Sequence, residues 1–207
     1  MKIAAITLTY NRLDLTKRTI EAFRSKTSVD YHLFVDNGST DGTREFLEDY
    51  HRVQLEKNLG IATGFALGVK ALADIDDFDY ILKLDNDVET VTDEIIAKMV
   101  DFLEKAGPHA VSPLDAMIDP NYYPRVIKTT TIHGYRVQYV SHTGGAFQIA
   151  PAKFVRRLCA DYHHLKLGDY AIGPYYRGIG CPPAYMTDYS MNHIGLNKST
   201  DGDKYIL

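Results

Sequence analysis

The sequence lacks tryptophan and has only two cysteines, Cys159 and Cys181, among its 207 residues. Two cysteines are too few for a disulfide framework, and their spacing matches no metal-binding motif, so we expect free thiols in a reducing compartment. The chain also lacks an apolar run long enough to span a membrane and shows no signal-peptide pattern at its start. These absences predict a cytoplasmic protein without an integral membrane segment, and peripheral attachment to a membrane stays open.

An excess of one charge sign is missing as well. Lysine and arginine together number 23, aspartate and glutamate 27, and the net charge is −4. Proteins that bind nucleic acid broadly carry a basic excess, so we expect no nucleic-acid partner. The hydrophobic share of 45% and the charged share of 24% are ordinary for a globular α/β protein.

Strand and helix patterns alternate in the first half of the chain. Short β-prone runs begin at Ile3, Tyr31, Arg52 and Tyr80, and amphipathic helical patterns separate them. This alternation predicts βαβ units with right-handed crossovers, and therefore a mixed, mostly parallel sheet flanked by helices.

The second half of the chain is more irregular. It contains β-prone segments that suggest a hairpin over residues 126–141, followed by a glycine-led strand over residues 144–150. Residues 168–183 are rich in glycine, proline and tyrosine, which predicts a long loop of the kind that closes over binding sites.

Two carboxylates, Asp85 and Asp87, directly follow the buried strand pattern of Tyr80–Leu84. Charged groups are costly to bury unless they are paired, and open α/β sheets bind ligands beyond the carboxyl ends of their strands. Two carboxylates there suit a hard divalent cation, whose oxygen shell a nucleoside diphosphate would complete. An acidic turn without a ligand is the alternative, because Asp and Asn are common turn residues.

Four segments that follow strand patterns resemble, in order, the motifs of family 2 glycosyltransferases with the GT-A fold. They are Leu8–Arg12, Val35–Asp41, Asn58–Gly64 and Leu84–Asp87, and a looser similarity continues through Thr143–Phe147. The resemblance implies one Rossmann-like GT-A domain over residues 1–207. Residues 1–105 would form its nucleotide-sugar-binding half and residues 106–207 its acceptor-binding half.

The same resemblance implies a donor site made by residues at the strand ends. Its members would be Thr9, Tyr10, Asn11, Arg12, Asp36, Asn58, Gly60, Asp85 and Asn86. Tyr10 could stack on the base, and Asp36 could accept the imide N–H of a uracil-like base, which favours a UDP- or dTDP-sugar. Ordinary packing for Tyr10 and a turn or helix cap for Asp36 are the alternatives.

The resemblance also implies a metal site. Asp85, Asp87 and His193 are its candidate ligands, and the ion would be Mn²⁺ or Mg²⁺, which neutralises the charge on a departing diphosphate.

A general base must take the proton of the acceptor hydroxyl. In the family it often lies in an acidic pair that opens a late helix, and Asp188 is our candidate. Thr187 stands where the first acid of the pair is expected, so Asp169 and Asp161 are alternatives.

The predicted function is transfer of a hexosyl or deoxyhexosyl group, with inversion, from a nucleotide-diphosphate sugar to a hydroxyl of a glycan, a lipid-linked sugar or another acceptor. A nucleotidyltransferase would have a glycine-rich phosphate loop after the first strand, where Tyr10–Arg12 contains no glycine. A dehalogenase-like phosphatase would place its Asp-x-Asp after the first strand instead of the fourth. A catalytically weak nucleotide-sugar-binding module of a larger glycan-assembly protein is a further alternative.

Overall fold

The computed structural model describes residues 1–117, 124–162 and 169–195. The strands within these ranges are β1 (Ile3–Thr9), β2 (Tyr31–Asp36), β3 (Arg52–Gln54), β4 (Tyr80–Asp85), β5 (Val88–Thr90), β6 (Ala110–Asp115), β7 (Val126–Ile132), β8 (Tyr135–Val140), β9 (Phe147–Pro151) and β10 (Pro183–His193). The α-helices are α1 (Leu13–Lys26), α2 (Thr43–Phe46), α3 (Ile61–Ala73), α4 (Ile95–Ala106), α5 (Ala152–Tyr162) and α6 (Asp169–Gly178). A 3₁₀ turn, Leu47–Asp49, follows α2.

The strands form one mixed sheet in the order β3-β2-β1-β4-β9-β6-β10-β8-β7, with β5 paired to β10. Strands β3, β2, β1 and β4 run parallel to one another. Strand β9 is antiparallel to both of its neighbours, β4 and β6, and β10 is parallel to β6. The predicted mixed sheet flanked by helices is therefore confirmed.

Neighbouring side chains of the central strand β1 belong to two different apolar clusters, one on each face of the sheet. Ala5 belongs to the apolar cluster that contains the inner side chains of α4. Ala4 and Ile6 belong to the opposite cluster, which includes side chains of α3 and α5. Successive side chains of a strand point to opposite faces, so a continuously apolar strand such as β1 indicates helices on both sides.

The prediction of a long loop over residues 168–183 is wrong for most of that stretch, because residues 169–178 form helix α6. Gly173 permits the packing of this helix, since a Cβ there would lie 2.2 Å from the carbonyl oxygen of Ser141. Tyr176, a residue of the same helix, is buried. Glycine and proline lower intrinsic helix propensity, but tertiary packing overrides that preference here.

Among the described residues, no helix has the length and apolar character needed to cross a membrane.

Candidate active site

The parallel register brings the carboxyl ends of β1, β2 and β4 to one edge of the sheet. Thr9, the last residue of β1, pairs with Asp36, the last residue of β2. On the other side of β1, Leu8 pairs with Asp85 at the end of β4. The loops that follow these three strands therefore converge, as the sequence motifs predict.

Asp85, Asp87 and His193 come together at this edge. One ligand atom from each of the three side chains lies within 4.8 Å of the other two. Pairing of β10 with β5 places His193 opposite Val88, so its Nε2 lies 3.1 Å from Oδ1 of Asp87. Two carboxylates and one imidazole are a donor set that Mn²⁺ accepts readily and Mg²⁺ can share, so these residues fit a divalent cation.

Asp87 is the most enclosed of the three groups, with a side chain that is 7% exposed. Its Oδ2 accepts a hydrogen bond of 2.6 Å from Nη1 of Arg12. Burial by itself would raise the pKa of Asp87. The hydrogen bond from His193 and the positive charges of His193, Arg12 and Lys83 outweigh burial, so the pKa lies below its usual value. Asp87 is therefore an anion that cationic side chains neutralise in the metal-free protein.

His193 lies between two carboxylates. Its Nδ1 is 3.6 Å from Oδ2 of Asp115, and its backbone N–H donates to Oδ1 of the same residue. Burial would lower the pKa of His193, but its hydrogen bonds with Asp115 and Asp87 raise the pKa to about 10. The imidazole is therefore protonated at neutral pH in the absence of metal.

Asp115 is a functional candidate that sequence reasoning missed. It is 4% exposed and ends β6 at the same edge of the sheet as Asp85. An apolar strand pattern that ends in a carboxylate is also what marks Asp85. The pattern Val111–Leu114 followed by Asp115 was therefore the available signal.

Gly195 lies directly against the carboxylate of Asp87. A Cβ at this position would be 1.9 Å from Oδ2 of Asp87. The backbone N–H of Ile194 donates to the carbonyl oxygen of Asp87 at 2.8 Å, which holds the chain close. A side chain at residue 195 would therefore displace the carboxylate of Asp87.

The loop after β1 holds two consecutive left-handed residues, Asn11 (φ 55°) and Arg12 (φ 65°). Non-glycine residues pay a conformational penalty in this region, and surrounding contacts must stabilise them. Asn11 accepts from the backbone N–H of Thr40 and donates its own N–H to Ser39, at 2.9 Å each. Asn86 donates to Thr16 of α1 at 3.1 Å. These contacts direct Arg12 towards Asp87.

Asp36 is fully buried at the end of β2. Its Oδ1 accepts from the backbone N–H of Ser39 at 2.9 Å, and its Oδ2 accepts from Nε of Arg44 at 3.2 Å. In the metal-free protein Asp36 thus has the turn geometry that we gave as the alternative to base recognition. Thr9 beside it is also buried, whereas Tyr10 is 46% exposed. An exposed ring at this edge remains available for stacking.

Asn37 joins the loop after β2 to the loop before α3. Its Nδ2 donates to Oδ1 of Asn58 at 2.8 Å, and its Oδ1 accepts from the N–H of Leu59 at 2.9 Å. Asn58 Oδ1 also accepts from the N–H of Gly60, which has φ 82° and precedes α3. Two of the predicted donor-binding motifs therefore form one hydrogen-bonded unit.

Lys83 links the cluster to the acceptor-side glycine segment. Its Nζ donates to the carboxylate of Asp85 and, at 2.6 Å, to the carbonyl oxygen of Gly145. The preceding residue, Gly144, donates its N–H to the hydroxyl of Tyr185 on β10, at 2.9 Å. The two predicted halves of the chain thus meet at Asp85.

Asp188 does not join this cluster. It lies within β10 and not at the start of a helix, so the predicted helical setting is wrong. It lies in the segment of β10 between Met186 and Ser190, where the register with β6 shifts, and it is not among the three residues that could hold a metal. Its Oδ1 accepts from Nε of Arg136 at 2.6 Å, and this hydrogen bond lowers the pKa of Asp188. The late helix of the described chain is α6, and it begins at Asp169.

The sheet order and the carboxylate site at its edge define the fold class. The solved structures that resemble the chain are GT-A glycosyltransferases, and the chain has this fold. The profile described as "Glycosyl transferase family 2" matches residues 4–158, which is more than half of the chain. The chain therefore belongs to glycosyl transferase family 2. No curated protein matches the chain.

Three solved structures illustrate the similarity of fold. The mannosyltransferase PcManGT from Pyrobaculum calidifontis, in complex with GDP-Man and Mn²⁺, has a TM-score of 0.74 and 17% identity over 96% of this chain. GalNAc-T7 with UDP, GalNAc and Mn²⁺ has a TM-score of 0.75 and 13% identity over 93% of this chain. S. aureus TarS 1-349 in complex with UDP-GlcNAc has a TM-score of 0.69 and 15% identity over 95%. The alignments cover 58%, 43% and 61% of those chains, respectively.

Proposed function

We propose that this protein is a metal-dependent glycosyltransferase that moves a sugar from a nucleoside-diphosphate donor to a hydroxyl acceptor with inversion. The observation that carries the proposal is the grouping of Asp85, Asp87 and His193 beside the loops that begin at Thr9 and Asp36. Similar folds solved with GDP-Man, UDP or UDP-GlcNAc support a nucleotide-sugar donor. Two of those structures also contain Mn²⁺.

The donor half would correspond to residues 1–105. Tyr10 offers an exposed ring for the base, and Asp36 offers a buried carboxylate next to it. We infer a UDP- or dTDP-sugar, because a carboxylate can accept the imide N–H that uracil and thymine share. Asn58 and Gly60 form a loop where backbone can approach the nucleotide closely.

Asp85, Asp87 and His193 would hold Mn²⁺ or Mg²⁺. When bound, the ion would offset the negative charge that develops on the diphosphate as the bond to the anomeric carbon breaks. His193 must lose its proton to act as a ligand. Lys83 supplies a further positive charge beside Asp85. These side chains together would stabilise a diphosphate as the leaving group.

On the acceptor side, the hydroxyl oxygen forms the new bond to the anomeric carbon while a carboxylate takes its proton. Attack from the face opposite the leaving diphosphate inverts the anomeric configuration. We propose Asp188 for the base, as the sequence indicates, although Arg136 lowers its pKa and so weakens it as a base. Asp169, which opens helix α6, is the second candidate. The acceptor would be a glycan, a lipid-linked sugar or another hydroxyl compound bound by residues 106–207.

Calorimetric titration with UDP, dTDP and GDP, with and without Mn²⁺, tests the donor site. We expect one nucleotide to bind in a Mn²⁺-dependent way to the wild type, and this binding to disappear in Asp87→Asn. Asp77→Asn is the matched control, because Asp77 is also an ion-paired aspartate but its side chain is 90% exposed. Loss of binding in both variants, or no binding by the wild type, would contradict the proposal.

Transfer assays then separate an enzyme from a binding module. We expect Asp188→Asn to retain nucleotide binding and to lose transfer to a competent acceptor, whereas Asp169→Asn keeps both. Loss of transfer in Asp169→Asn alone would move the assignment to Asp169. Donor binding by the wild type without transfer to any acceptor would instead favour a nucleotide-sugar-binding module.

A further inference from the structure

Arg12 forms a contact with Asp87 that metal binding by Asp87 would not require. Its Nη1 donates a 2.6 Å hydrogen bond to Oδ2 of Asp87, and the two groups form an ion pair. Oδ1 of the same carboxylate faces His193 at 3.1 Å, and the backbone of Gly195 lies against Oδ2. Both oxygens of Asp87 are therefore engaged by the protein itself when no metal is present.

The backbone of Arg12 is held independently of this ion pair. Its left-handed conformation starts α1, where its carbonyl oxygen accepts from the N–H of Thr16 at 3.0 Å. Asn11, the preceding residue, is bound by Ser39 and Thr40. The Arg12 side chain is 33% exposed, whereas that of Asp87 is 7% exposed. Because these other contacts hold the loop backbone, a change of the Arg12 rotamer would not require the loop to move.

A cation on Asp87 would sit beside the guanidinium group of Arg12, and like charges repel strongly in a partly buried site. A diphosphate at the same edge of the sheet would offer Arg12 a new anionic partner, which the planar guanidinium suits well. Arg12 thus pairs with Asp87 without a ligand and would pair with the diphosphate when the donor is bound. The exchange would make the binding of metal and nucleotide depend on each other.

We propose that Arg12 is an internal counter-cation of the metal site. It neutralises Asp87 in the metal-free protein, weakens binding of a divalent cation by itself, and turns to the donor diphosphate when metal and nucleotide bind together. This inference rests on the proposed function, because it assumes that Asp87 is a metal ligand. It adds that this site selects the metal–nucleotide pair over the free metal ion.

Mn²⁺ titrations followed by the electron paramagnetic resonance signal of free Mn²⁺ test the proposal without an activity assay. We expect Arg12→Met and Arg12→Gln to bind Mn²⁺ alone about tenfold more tightly than the wild type, and to bind UDP in saturating Mn²⁺ about tenfold more weakly. Arg12→Lys should restore much of the wild-type behaviour because it keeps the charge. If dTDP or GDP proves to be the bound nucleotide in the calorimetric screen, it replaces UDP.

Arg18→Met is the matched control, because Arg18 lies on α1, which begins directly after Arg12, and is also ion-paired, with its Nη2 2.6 Å from Glu89. This control should leave both affinities unchanged. An unchanged or lower affinity for Mn²⁺ alone in both uncharged Arg12 variants, with intact Mn²⁺-dependent UDP binding by the wild type, would overturn the Arg12 proposal alone. Failure of the wild type to bind Mn²⁺ with any nucleotide would overturn both this proposal and the proposed function.

Discussion

Replacement of Gly38 by alanine should destabilise the protein by more than the cost of its backbone conformation. Gly38 has φ +85°, and a Cβ there would lie 2.7 Å from the backbone carbon atoms of Lys57. The left-handed conformation costs an alanine about 1–2 kcal/mol. The steric overlap adds about 1–3 kcal/mol, because a backbone neighbour cannot rotate away as a side chain can.

Hydrogen bonds also hold the backbone on both sides of Lys57. The N–H of Leu55 donates to the carbonyl oxygen of Asp36, and the N–H of Leu59 donates to Oδ1 of Asn37, at 2.9 Å each. Movement of Lys57 would strain both hydrogen bonds. We therefore expect Gly38→Ala to lower the free energy of unfolding by about 2–5 kcal/mol.

Gly134→Ala separates the two contributions. Gly134 has φ +88° in the turn between β7 and β8, but a Cβ there would have no neighbour within 4 Å. It should cost only about 1–2 kcal/mol. Urea unfolding of the two variants and the wild type gives the free energies by linear extrapolation. If Gly38→Ala costs no more than Gly134→Ala, the contact between the loop after β2 and the loop before α3 is not rigid and the reasoning fails.

Three further outcomes are expected. Asp115→Asn should weaken Mn²⁺ binding about 10- to 100-fold, measured by the same resonance titration, because Asp115 orients His193. Protonated His193 should stabilise the metal-free protein fully below pH 6.5 and lose this effect towards pH 10, because its pKa is raised to about 10. The difference in unfolding free energy between wild type and His193→Gln should therefore shrink between pH 6.5 and about 10. A difference that stays constant with pH would contradict this role of protonated His193. Burial raises the pKa of Cys159 and Cys181 to about 12, so both thiols should react with iodoacetamide slowly in the native protein and rapidly in urea.

Local patterns in the sequence were sufficient to predict the donor-side strands and the motifs at their ends. The β-prone run Tyr80–Leu84 gives way to Asp85 at the end of β4, because a carboxylate is costly to bury in the interior of the sheet. Parallel strands then bring their carboxyl ends to one edge, so the placement of Thr9, Asp36 and Asp85 follows from the order of the elements alone. The grouping of Asp85 and Asp87 with His193 was also predicted, although through resemblance and not through pattern.

Tertiary packing decided the features that depend on contacts between distant segments. Residues 169–178 form a helix despite their glycine and proline content, because the helix packs on the segment that contains Ser141. Asp188 was predicted near a helix start, but pairing of β10 with β6 and β8 makes the segment a strand.

The sequence by itself therefore determined the order of the elements from β1 to β4 and the carboxylates at the end of β4, because both depend on neighbours in the chain. Only the tertiary structure decided which residues surround these carboxylates. Strand β10 lies between β6 and β8, and this position sets His193 between Asp87 and Asp115. The left-handed turn after β1 likewise directs Arg12 onto Asp87 across 75 residues of sequence. Such contacts arise from strand register and backbone conformation, which residue spacing does not encode.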